Sequence, residues 1–117
     1  YYVQGRDLED KNRILSEAKQ LENAGAEIIL LECVPASLAE EMSSSLSIPT
    51  IGIGAGSATD GQIMVCYDAI GAYSWDDQPQ PKFVKNFMNE SNSIFEAFEK
   101  YVSEVKSLKF PSDDHSF

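Results

Sequence analysis

From Leu8 to Leu21 the apolar residues Leu8, Ile14, Leu15, Ala18 and Leu21 fall on one helical face. Asp7 stands before them as an N-cap and Gly25 behind them as a stop, so the spacing predicts a first helix over 8–23. Residues 1–6, closed by Gly5, read as a strand end or loop. The period then changes. Residues 26–33 are almost uniformly apolar, as in parallel strands covered on both faces. Pro35 suits the first turn of a second helix over 36–46, with Leu38, Ala39, Met42 and Leu46 on one side. Residues 48–54 form a second predicted strand, in which Pro49 is tolerable only at the start. Helix, strand, helix and strand with short connections predict an α/β fold with right-handed crossovers.

Beyond Gly54 the pattern is less regular. A third helix is predicted from Thr59 or Asp60 to Ile70, ended by Gly71, although 63–67 also reads as a strand. Residues 72–81 are loop by composition, and a short helix is predicted over 82–89. Ser93-x-x-Glu96 is a capping box. Ile94, Phe95, Phe98, Tyr101, Val102, Val105 and Leu108 follow at helical spacing, predicting an amphipathic helix over 93–108. Residues 110–117 are expected to be a tail, and 1–117 one domain without internal repeats.

Composition narrows the partners. The 117 residues are 43% hydrophobic and 24% charged, an ordinary globular balance. A net charge of −10 argues against nucleic acid and against anionic membrane surfaces. Cys33 and Cys66 are far apart and form no CxxC pair, so neither a zinc site nor a redox site is expected. No apolar run approaches the roughly 18 residues that suggest a transmembrane helix. The chain opens on Tyr1-Tyr2-Val3 without a methionine or a signal pattern, and reads as a sequence entered in its middle.

Glu32 is the first candidate for chemistry. Alternation puts Ile28, Leu30 and Glu32 on one face of a strand and Ile29, Leu31 and Cys33 on the other. Glu32 ends that strand, where open α/β sheets and α/β barrels bind ligands. A carboxylate in an apolar surround there suits a general base near neutral pH. It equally suits a buried acceptor of backbone or arginine hydrogen bonds, and the pattern leaves both readings open. Gly52-Ile53-Gly54-Ala55-Gly56-Ser57 is not GxGxxG, so it reads as a tight strand-to-helix turn or as a phosphate cradle, the turn being favoured. Asp60 is expected to cap a helix and Asp68 to lie on a helix surface or in packing, rather than to ligate a metal. His115 is the single histidine and gives no basis for a triad. Phe95, Phe98 and Tyr101 are expected in the core or at a subunit contact.

Val3-Gln4-Gly5-Arg6, Leu31-Glu32-Cys33-Val34-Pro35, Ile48 through Gly56, Asp60-Gly61-Gln62, Pro81 through Lys85, Phe110-Pro111 and His115-Ser116-Phe117 carry a family resemblance. In this order and spacing they resemble ketopantoate hydroxymethyltransferase, over essentially the whole chain but only the C-terminal half of the family. The resemblance implies a (β/α)8 barrel of the phosphoenolpyruvate/pyruvate-like superfamily, usually in a homo-oligomer. It implies transfer of a hydroxymethyl group from 5,10-methylenetetrahydrofolate to 3-methyl-2-oxobutanoate, giving 2-dehydropantoate for pantothenate and coenzyme A synthesis. Mg²⁺ would chelate the oxo acid, and Glu32 would match the family's proton acceptor at C3. Gly54 and Gly56 would offer backbone near the substrate. The family's metal ligands match no residue here. Its members are cytoplasmic in bacteria and often mitochondrial in eukaryotes, which leaves the compartment open.

A barrel of this kind runs to about 250 residues and eight strands. With 117 residues and two clear strands, the chain is expected to be an incomplete barrel, inactive alone. A catalytically dead interaction module of the same descent, and a related barrel lyase acting on oxo acids, are the alternative readings.

Overall fold

The computed structural model describes residues 1–117. Helix α1 spans Leu8–Asn23 and is followed by strand β1, Ile29–Glu32. Helix α2, Ala36–Ser45, leads to strand β2, Thr50–Ile53. A two-residue strand β3, Gly61–Gln62, and a short helix α3, Cys66–Ala69, come next. A 3₁₀ turn at Phe87–Glu90 precedes helix α4, Ile94–Lys106, and a second 3₁₀ turn at Asp113–His115 closes the chain. The sheet is parallel throughout in the order β1-β2-β3, with Glu32 opposite Ile53 and Ile51 opposite Gly61.

The first half follows from the sequence with few adjustments. The Asp7 side chain accepts from the Asp10 N–H at 2.8 Å and caps α1. Ala24 is the C-cap, and Gly25 turns the chain at φ +102°. Pro35 is the N-cap of α2 rather than a residue of its first turn. Helices α1 and α2 cover one face of the sheet: Ala18, Ile29, Leu31, Val34, Leu38, Ala39, Met42 and Ala55 form the main core.

The expectation that β1 is covered on both faces is not met. Ile29 and Leu31 are buried, but Ile28 is 58% and Leu30 51% exposed. The chain leaves that face of β1 open, although Ile53 on the same side of β2 is covered by Phe83 and Val84. Apolar residues on both faces are still the signature of a strand buried twice over.

Three further expectations are corrected. The predicted helix from residue 59 or 60 to 70 is replaced by β3 and α3. The Asp60 carboxylate is not a helix cap; it accepts from the Thr50 N–H at 2.8 Å and from Thr50 Oγ1 at 3.1 Å. That clamp holds Gly61 and Gln62 alongside β2, and the Ile63 N–H continues the ladder to the Gly52 carbonyl at 3.0 Å. The helix predicted over 82–89 is only the 3₁₀ turn at Phe87–Glu90. Phe83 and Val84 are drawn instead into a core cluster with Cys33 and Ile53.

The expected tail at 110–117 is ordered packing. Phe110 is 3% exposed and lies in a third cluster with Ala69, Phe87 and Ala97. Phe117 returns to the sheet, where its carbonyl accepts from the Ala36 N–H at 2.9 Å at the start of α2. Its ring meets Phe83 edge-on at 6.4 Å.

Helix α4 is capped as the sequence predicts, with Glu96 N–H donating to Ser93 Oγ at 3.1 Å. The Glu96 carboxylate reaches one residue further back than a standard box, to the Asn92 N–H at 2.8 Å. Its aromatic stripe divides. Tyr101 packs on the third cluster and donates to the Gln62 carbonyl at 3.1 Å, whereas Phe95 is 71% exposed.

His115 is half-buried, with Nδ1 2.8 Å from Ser112 Oγ. Burial first, and then the charge of Lys85, hold its pKa below the ordinary value. A depressed folded pKa means that the unfolded chain binds the proton more readily. This contribution to stability is therefore complete above the unfolded pKa of about 6.5 and declines as pH falls below it. Thermal melts from pH 7.5 to 5 are expected to show that decline, and His115→Gln to flatten it. Equal pH slopes in the two proteins would contradict the assignment.

Candidate active site

All three strands run the same way, so Glu32, Ile53 and Gln62 bring their carboxyl ends to one edge of the sheet. Three connections leave that edge. Between β1 and α2, Cys33 takes φ +52°, its N–H donates to the Ile53 carbonyl at 2.9 Å, and Val34 N–H donates to the Gly54 carbonyl at 3.2 Å. Between β2 and β3, Gln62 Nε2 donates to the Gly56 carbonyl and to Thr59 Oγ1, both at 2.8 Å. From β3, residues 63–65 lead into α3, and the loop beyond it brings Tyr73 and Trp75 together with ring centroids 4.6 Å apart.

Glu32 stands on the open face with Ile28 and Leu30, and its side chain is exposed. The apolar surround expected around it is not supplied by this chain. The alternative of a buried carboxylate tied up in pairing is not observed either. Each of the six ion pairs uses another acid. A recess of about 270 Å³ lies against it, lined by Tyr1, Tyr2, Gln4, Glu32 and Cys33. Burial and, after it, the charge of Glu32 push the Cys33 thiol up, which keeps it protonated and a poor nucleophile.

Gly54 and Gly56 flank the edge at φ +62° and +76°. A Cβ on Gly54 would stand 2.9 Å from a Phe83 ring carbon, and one on Gly56 would stand 2.6 Å from Ala36 Cβ. Their side of the turn is thus filled by the chain itself, which accounts for both glycines by packing. No phosphate-sized space opens there.

Asp68 was not singled out by sequence as a site residue, yet it is 7% exposed. Burial alone raises its carboxyl pKa, with no partner to oppose the effect. It lines a larger cavity of about 670 Å³ with Tyr1, Tyr67, Tyr73, Trp75 and Lys82 among its walls. Tyr1 borders this cavity and the Glu32 recess. Burial, and then the charges of Asp68 and Glu32, push the Tyr1 phenol up. The residue is 76% exposed, and both carboxylates lie within electrostatic reach of its phenol.

A separate concavity of about 740 Å³ runs along α4 past Phe95, Phe98 and Val102. It shares no residue with the strand ends and carries no chemistry of its own.

Comparison with known proteins settles the family. The profile of the family described as ketopantoate hydroxymethyltransferase matches residues 1–113. The chain belongs to the ketopantoate hydroxymethyltransferase family. Among its relatives, proteins named 3-methyl-2-oxobutanoate hydroxymethyltransferase from Shewanella sp. (strain ANA-3) and Erwinia tasmaniensis are 49% and 50% identical over 117 residues. A probable 3-methyl-2-oxobutanoate hydroxymethyltransferase of Schizosaccharomyces pombe is 46% identical over the same length. All of this chain is covered in each comparison, and 43% of each relative. The relatives are named as transferases of one chemical kind, and the parallel helix–strand alternation here is consistent with part of an α/β barrel. No helix is long and apolar enough to cross a membrane.

No group of three or more His, Cys, Asp and Glu side chains converges in the chain. Glu32 and Asp68 border different cavities and do not form a ligand set. The residues present therefore do not fit a Mg²⁺ site.

Proposed function

We propose that these residues form the base-bearing part of a ketopantoate hydroxymethyltransferase, with Glu32 as the group that takes the proton from C3 of 3-methyl-2-oxobutanoate. The observation that carries this reading is the position of Glu32. It is an exposed, unpaired carboxylate at the carboxyl end of a parallel strand, on the open face of β1 and bordering a recess. Ligands of α/β barrels bind at that end.

C3 of the oxo acid is acidic because its carbanion is delocalised into the adjacent carbonyl. A carboxylate within hydrogen-bond reach of the C3 proton converts the oxo acid to its enolate. The enolate carbon then forms a C–C bond to the methylene carbon of 5,10-methylenetetrahydrofolate, and the methylene–nitrogen bonds of the donor break. One water supplies the new hydroxyl, and 2-dehydropantoate and tetrahydrofolate leave, the latter with the two protons released from C3 and from the water. Gly54 and Gly56 hold the turn beside Glu32 and would place its backbone near the bound oxo acid. Mg²⁺ would be held by ligands outside these 117 residues and would stabilise the enolate oxygen. The complete site is proposed to be a (β/α)8 barrel, whose remaining strands would cover Ile28 and Leu30 and supply the apolar surround that Glu32 lacks here. A homo-oligomer of such barrels and soluble small-molecule substrates complete the proposal.

The test is a chimera in which these 117 residues replace the matching 43% of the Shewanella relative. Formation of 2-dehydropantoate from the oxo acid and 5,10-methylenetetrahydrofolate, in buffer with Mg²⁺, is expected. A folded chimera without turnover would contradict the proposal.

A further inference from the structure

Asp68 poses a problem that packing does not answer. The residue is 7% exposed, its carboxylate sits in none of the ion pairs and reaches open space only through a cavity, and its pKa is raised by burial alone. Burying an acid without a partner costs stability, so a chain keeps such a group where something else uses it. The group is not walled in. It lines the cavity of about 670 Å³, a volume within the range of about 300–1,000 Å³ usual for small-molecule sites.

The other walls describe the occupant. Tyr67, Tyr73 and Trp75 line the same cavity, with Tyr67 63% and Tyr73 49% exposed. Exposed aromatic faces around a cavity suit a flat ring that stacks. A carboxylate lining such a cavity suits a ring edge with two parallel N–H donors, because a carboxylate can accept a fork of two bonds. Lys82 at the rim adds one cation to the walls, which suits an anionic tail. A flat ring, a two-donor edge and an anionic tail together describe a reduced folate. Its 2-amino-4-oxopteridine offers N3–H and the 2-amino group side by side, and its glutamyl end carries carboxylates.

We propose that the cavity holds the pteridine of the one-carbon donor, with Asp68 accepting from N3–H and the 2-amino group and Tyr67, Tyr73 and Trp75 lining the ring. This rests on the reading of Glu32 given above and deepens it. Tyr1 borders both this cavity and the Glu32 recess, so the donor's one-carbon unit would lie where the two meet. Asp68 touches the donor but takes no proton from the oxo acid.

Trp75 is the single tryptophan and gives a direct readout. The 117-residue chain is titrated with 5-formyltetrahydrofolate, a stable reduced folate, while Trp75 fluorescence is followed. Saturable quenching is expected. Asp68→Asn is expected to weaken binding about 10–100-fold, as loss of a charge-assisted pair does. Tyr73→Leu, at an exposed position, is expected to weaken it about fivefold or more by loss of stacking. Neither substitution should change the affinity for p-aminobenzoylglutamate, which lacks the pteridine. Asp68→Asn should also raise the melting temperature at pH 7, because it removes an unpaired buried charge. Better folding with weaker binding is a pairing that a merely structural Asp68 would not produce.

In the Shewanella chimera, Asp68→Asn should leave solvent exchange at C3 of the oxo acid unchanged, since that step needs no folate. Absence of saturable quenching, or equal folate affinity in wild type and Asp68→Asn, overturns the pteridine site. Exchange that falls together with folate affinity also overturns it, because Asp68 would then serve the oxo acid. Absence of C3 exchange in the unsubstituted chimera contradicts the Glu32 reading instead, so the two failures are distinguishable.

Discussion

Phe87→Ala is expected to cost about 3–5 kcal/mol of stability, the range for removing a fully buried phenylalanine. Phe87 is 1% exposed and stands at the centre of the third core cluster. Its ring meets Tyr101 and Phe110 edge-on, both at 5.4 Å between centroids, and Lys85 Nζ lies 4.9 Å above it. Those contacts fasten α3, α4 and the C-terminal segment to one another, and Asp68 sits in α3 beside Ala69 of the same cluster. A domain of this size has only about 5–15 kcal/mol in total, so the loss is a large fraction of what holds the second half in place. Urea denaturation should show the midpoint falling by more than about 1 M. Phe87→Leu, which keeps most of the volume, should cost clearly less. A change below about 1 kcal/mol for Phe87→Ala would mean that the cluster collapses around the void.

Glu32→Gln is expected to lower turnover of the Shewanella chimera by about 10²–10⁴-fold, the usual loss on removing a general base. Gln occupies the same space and accepts a hydrogen bond, but it cannot take the C3 proton. The fall should therefore appear in kcat, with KM for the oxo acid within a few-fold. Stability should not change, because Glu32 is exposed and belongs to none of the ion pairs. Steady-state kinetics beside a urea melt separates the two effects. A large rise in KM at constant kcat would make Glu32 a binding group.

The first half of the fold was legible because its signals are local. Asp7, Gly25, the apolar run into Glu32 and the spacing of Leu38, Ala39 and Met42 each specify their element without distant help. The second half was not, because its elements are held by long-range contacts. Asp60 reads as a helix cap until Thr50, ten residues earlier, is seen to take its carboxylate. Phe110 and Phe117 look like a tail because the partners that order them, Phe87 and Phe83, are far away in sequence.

The candidate site divides in the same way. Strand alternation and the end of an apolar run point to Glu32. Asp68 gave no such signal: on the helix predicted to Ile70 it reads as a helix-surface or packing residue, and its burial decides for packing. Only its burial, beside a cavity that Tyr67, Tyr73 and Trp75 also line, marks it out. The exposure of Ile28 and Leu30, in a strand whose composition expects two covered faces, is the clearest sign of what the proposed complete barrel adds.

Solvent-deuterium exchange at C3 of 3-methyl-2-oxobutanoate, followed by proton NMR in the Shewanella chimera with Mg²⁺ and without any folate, isolates the proton transfer assigned to Glu32. The chimera should exchange the C3 proton catalytically, and Glu32→Gln should slow that exchange by about 100-fold or more. Exchange at an unchanged rate in Glu32→Gln would show that another group takes the proton.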